Sequence, residues 1–120
     1  MKCPLQEHKQ FLINEKQNFK DVDNTNNYIN YLKKLKPQLK YRKQLLYYWW
    51  GELSQKDRES RGCYHIFLDA ASLNGYFCDI IIDNILESDN YDAKFNILYM
   101  FITMISYFDR VEDFLNKETL

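Results

Sequence analysis

The sequence predicts an all-α fold, a single-domain bundle of four to five helices around a buried C-terminal helix. Three observations carry that expectation. The stretch Phe95–Leu115, FNILYMFITMISYFDRVEDFL, has no charged side chain from Ile97 to Phe108 and puts apolar residues on every side of a helical wheel. Only 3 Gly and 2 Pro in 120 residues leave little material for the tight turns of a many-stranded sheet. At 46% hydrophobic and 28% charged residues the composition is globular, and the length allows a real core without disulfides. A membrane span would need about 20 apolar residues. The central run stops short of that, closed by Lys94 on one flank and by Asp109, Arg110, Glu112 and Asp113 on the other.

The elements follow in order. Pro4 suits the first turn of a helix reaching about Lys20, with Leu5, His8, Leu12, Phe19 and Val22 recurring at helical steps. The run from Asp21 to Asn27 collects residues that turn chains and cap helices. A short second helix then carries Tyr28, Ile29, Leu32 and Leu35. Pro37 lacks a backbone donor and disfavours helix at Lys36, so a break is expected there. A third helix runs from about Pro37 to Lys56 on the seam Leu39, Leu46, Trp49, Trp50 and Leu53, and the polar stretch from Gln55 to Gly62 reads as a loop. The fourth helix spans about Cys63 to Leu86, with Ile66, Ala70, Leu73, Phe77, Ile80, Ile81 and Ile85 as its core face. Gly75 inside it marks a close helix contact or a bend. Ser88, Asp89 and Asn90 offer N-caps to the central helix, and Asp92 sits favourably in its first turn.

Cys3, Cys63 and Cys78 are odd in number and widely spaced, which suggests neither a disulfide framework nor a zinc knuckle. The opening MKCPLQEHKQ lacks an apolar signal core, so a cytoplasmic location is expected. The net charge of −1 hides a split: residues 1–60 carry 12 Lys+Arg against 7 Asp+Glu, and residues 61–120 carry 4 against 10. An asymmetry of this size often reports a partner surface.

On the fourth helix Asp69, Ser72, Tyr76, Asp79, Asp83 and Glu87 share one face at steps of three or four. Like charges at such spacing repel, and no Lys or Arg lies between Arg61 and Lys94 to relieve them. An unrelieved acidic row is what a binder of a basic partner carries. An ordinary solvated helix face has the same pattern. The candidate partner-binding residues are therefore Asp69, Tyr76, Asp79, Asp83 and Glu87, with Asp89 and Asp92 at the edge.

A second signal is basic and aromatic, from Tyr31 through Lys33, Lys34, Lys36, Lys40, Arg42 and Lys43 to Tyr47, Tyr48, Trp49 and Trp50. Lysines neutralise phosphates and aromatic rings stack on unpaired bases. Against that, the tryptophans lie in the core register, which makes the lysines the wet side of a packed helix. A third signal, Arg58 followed at seven residues by His65, resembles the arginine–histidine motif of HEPN ribonucleases. The resemblance implies that Arg58 orients a phosphate and His65 does acid–base work. It covers these eight positions and the helical character, and Glu59 stands where that family commonly has a polar residue, with a charge that would repel the phosphate.

No cofactor or metal is expected. The Cys/His pairs lack ligand spacing, and Gly51, Gly62 and Gly75 are isolated rather than gathered in a phosphate loop. The features together suit a small cytosolic binding protein without catalytic residues, an immunity protein or antitoxin. It would neutralise a basic, nuclease-type toxin by occluding its active site with the acidic helix face. The alternatives are a HEPN-like ribonuclease using Arg58 and His65, and a phage or mobile-element accessory protein binding nucleic acid through Lys33–Lys43.

Overall fold

The computed structural model describes residues 3–53, 55, 64–88 and 94–117 of the chain. All of its regular structure among these residues is helical. Helix α1 is Leu5–Lys20 and α2 is Thr25–Glu52. Helix α3 occupies residues 64–88 as an α-helical Tyr64–Tyr76, a π-helical Phe77–Ile82 and an α-helical Asp83–Ser88. Helix α4 is Lys94–Lys117. The principal packing partners are α1 with α4, α4 with α3, and α3 with α2, with a lighter contact from α2 back to α1. The helices thus stand in chain order around a bundle of 47 × 22 × 21 Å.

The α1–α2 turn falls where the capping residues cluster. The side chain of Asn24 accepts the Asn27 backbone N–H at 2.9 Å and starts α2 there, ahead of the start expected near Tyr28. The break expected at Pro37 is absent, and α2 continues through it for 28 residues. Pro37 removes only the bond to the Lys33 carbonyl, and both residues face water, which can satisfy that oxygen. The apolar seam stays in phase across the proline, with Tyr28, Leu32, Leu35, Leu39, Leu46 and Trp49 buried. Continuous burial of that seam outweighs one missing hydrogen bond. The helix ends at Glu52, where Leu53 turns to extended backbone, rather than at Lys56.

In α3 the buried residues are Phe67, Ala70, Ala71, Asn74, Phe77, Cys78, Ile82 and Ile85. The expected face held Ile66, Leu73, Ile80 and Ile81. Three of these are half-buried, and Ile80 is 45% exposed. A uniform 3.6-residue period misses the π stretch, whose wider turns delay the return to the core from Ile81 to Ile82.

Helix α4 buries Ile97, Met100, Phe101, Met104, Phe108 and Val111 against α1 and α3. Its far side carries exposed Tyr99 and Ile102, so the helix is sheltered on one flank and not on all sides. Aromatic rings knit the core: Trp50 stacks on Phe67 at 4.1 Å, Phe77 meets Phe101 at 5.4 Å, and Phe19 lies 6.3 Å from Phe101. No helix among the described residues is long and apolar enough to cross a membrane.

Candidate functional site

The exposed side of α3 holds four of the predicted partner-binding residues, with a fifth, Asp83, turned toward α2. Asp69, Tyr76, Asp79 and Glu87 are exposed, whereas Asp83 is half-buried. Asp89 and Asp92 lie outside the described residues. Ile80 joins the exposed set because the π stretch turns it outward, so apolar Tyr76 and Ile80 sit among carboxylates.

The acidic row is relieved, contrary to expectation, and the relief comes from α2. Lys36 is ion-paired with Asp83, and Lys40 Nζ stands 3.8 Å from an Asp79 oxygen. Hydrogen bonding to Asp83 holds the Lys36 ammonium above its usual pKa. A matching pair of bridges joins the other two helices, Lys9 reaching Asp109 at 2.9 Å and Glu112 at 2.8 Å. The relieving cations lie outside the sequence of α3 itself, on α2. The spacing of Lys36 and Lys40, equal and opposite in direction to that of Asp83 and Asp79, carries the missed signal.

One step further along α2 the pattern changes. Lys43 is half-buried, and its ammonium lies where a Cβ on residue 75 would come within 3.1 Å. The close contact expected at Gly75 is therefore with the Lys43 side chain. Beside it a cavity of 340 Å³ opens between the helices, lined by Lys40, Lys43, Gln44, Tyr47, Gly75, Cys78 and Asp79. Burial, aided by the charge of Asp79, pushes the Cys78 thiol up to about 11, so it is neutral near pH 7.

The basic aromatic segment divides in two. Trp49 and Trp50 are core residues at 7% and 4% exposure and are not available to stack on bases. Tyr41 and Tyr48 are exposed, and the Arg42 guanidinium lies 4.3 Å over the Phe11 ring. His65 is exposed in the first turn of α3, while Arg58 and Glu59 lie outside the described residues. Among the described residues no group of three His, Cys, Asp or Glu is placed to hold a metal ion.

Sequence reasoning put His8 on the apolar stripe of α1 and overlooked Asn74. The two are buried and meet across the bundle, from α1 to α3, with Asn74 Nδ2 3.2 Å from His8 Nε2. The amide donates to the neutral ring, which makes a T-shaped contact with Phe108 at a centroid separation of 4.7 Å. Burial first, and the charge of Arg42 second, lower the His8 pKa to about 4.

No protein-family model, curated protein or solved structure matches this chain.

Proposed function

We propose that the chain is a protein-binding domain whose partner is a cationic protein docking on the exposed side of α3. One observation carries the reading: Tyr76 and Ile80, 49% and 45% exposed, lie on a helix side that also presents Asp69, Asp79 and Glu87. An aromatic and aliphatic centre edged by charge is the anatomy of a protein interface. The carboxylates left to attract a cation are Asp69 and Glu87, with Asp79 shared loosely with Lys40, because Asp83 is engaged by Lys36. The role that fits is a cytosolic immunity protein or antitoxin. Nuclease-type toxins are basic because they bind phosphates, and a surface of carboxylates around an apolar anchor competes for the same cations.

The test begins with a pull-down from the native host to identify the partner, followed by titration calorimetry on purified components. The expected partner is basic. Tyr76→Ala should weaken it by about tenfold or more, as loss of an interface anchor does. Asp69→Lys/Glu87→Lys should slow association and flatten its dependence on salt. An acidic partner, or one whose affinity ignores all three substitutions, moves the interface off α3.

A further inference from the structure

Helices α2 and α3 face each other through a ladder of charge in which lysines descend α2 as acids ascend α3. Lys36 meets Asp83 and Lys40 meets Asp79. The next lysine, Lys43, meets Gly75 and forms no ion pair with a carboxylate among the described residues. The residue is half-buried, with its ammonium 5.8 Å from the centroid of the Tyr47 ring, and it lines the 340 Å³ cavity. We infer that this cavity is a binding site for a small anionic molecule, a carboxylate or phosphate monoester attached to a planar ring.

Charge and shape both favour that class. The lining carries two ammonium groups and one carboxylate, and that carboxylate already neighbours Lys40, which leaves Lys43 to the ligand. Cys78 contributes a neutral thiol rather than a repelling thiolate. A lysine ammonium without a carboxylate partner gains a charge-assisted hydrogen bond from an anionic oxygen. Tyr47 offers a ring face, Gln44 an amide that can donate or accept, and the volume lies at the small end of ligand pockets. A methyl group at residue 75 would come within 3.1 Å of the Lys43 ammonium and displace it slightly. The π stretch begins two residues later, and wide turns of this kind are frequent beside functional sites. This inference does not rest on the docking role given to the exposed side of α3.

Amide NMR spectra of the full chain titrated with inorganic phosphate, phenyl phosphate and benzoate provide the test. The expected result is saturable shifts confined to Gln44, Tyr47, Gly75, Cys78 and Asp79, with phenyl phosphate or benzoate tighter than phosphate. Preference between those two separates a phosphate ligand from a carboxylate. Lys43→Met should weaken binding by about tenfold or more, whereas Lys43→Arg keeps the charge and retains it. Gly75→Ala should weaken it as well, and exposed Lys33→Met should leave it unchanged. Amide spectra of each free variant establish that it is folded. Shifts spread evenly over surface lysines, failure of all three probes to saturate, or wild-type affinity in Lys43→Met would overturn the site.

Discussion

His8 shows how a single side chain can tie stability to pH. Its folded pKa of about 4 lies below the ordinary 6.5, so between those values the unfolded chain binds the proton more readily. The stabilising effect of a neutral His8 is complete above about pH 6.5 and is lost progressively as pH falls to about 4. The span amounts to about 3 kcal/mol at most. Denaturant melts from pH 7 to 4 on wild type and His8→Leu check this: the loss over the window should be smaller in the variant by that order. A parallel pair of curves would mean that the ring takes its proton without unfolding. The bridge was half legible in the sequence. His8 stands on an apolar stripe, but Asn74 lies two helices further along the chain, and nothing local to either residue signals the meeting. Its orphaned atoms, His8 Nδ1 and Asn74 Oδ1, find no hydrogen-bond partner among the described residues. Replacing both residues with leucine therefore removes a polar cost as well as a contact.

At the scale of the element, Pro37 and the two faces of α4 give opposite lessons about local rules. Proline inside a helix costs about 3 kcal/mol against alanine, and here the wet carbonyl of Lys33 softens that figure. Pro37→Ala should raise stability by about 1–3 kcal/mol, read as a shift of the chemical denaturation midpoint at constant slope. A variant no more stable than wild type would show that the proline already fits without strain. In α4, Met104 is fully buried and Ile102 is 51% exposed, although both belong to the same uncharged run. Met104→Asp should cost several kcal/mol by burying an unpaired carboxylate, while Ile102→Asp should change thermal stability little. Equal losses would place another surface over Ile102. The run of apolar residues announced a helix plainly enough, but composition alone does not say how many neighbours surround it. Likewise the buried face of α3 was legible at Ala70, Phe77 and Ile85 but not at Ile80 and Ile81, because an extra residue in a wide turn leaves no mark in hydrophobicity.

Across the whole molecule the charge split finds an internal use. The basic first half and the acidic second half meet along two seams, Lys9 with Asp109 and Glu112, and Lys36 and Lys40 with Asp83 and Asp79. An asymmetry that reads as a partner signal in the sequence is thus spent in part within the chain, and only the remainder can attract a partner. Each such pair lies near the surface and contributes about 0.2–1 kcal/mol. A double-mutant cycle on Lys36→Ala and Asp83→Ala should return a coupling in that range that shrinks as salt is added. Zero coupling at low salt would mean that packing alone brings α2 and α3 together. Fold class was legible because the helical periods are long and the turn residues few. The pairing of helices was not, since it depends on the complementary spacing of residues some forty positions apart.

The wide turn of α3 also has a consequence for chain length. A helix that acquires one residue between fixed ends can keep both ends packed only by looping the surplus into the backbone spiral, and Phe77–Ile82 holds such a surplus. Variants shortened by one residue at this point should therefore fold with both ends of α3 packed as before. They would regain an unbroken spiral and keep the segment that follows Ile82 in phase, leaving Asp83 against Lys36.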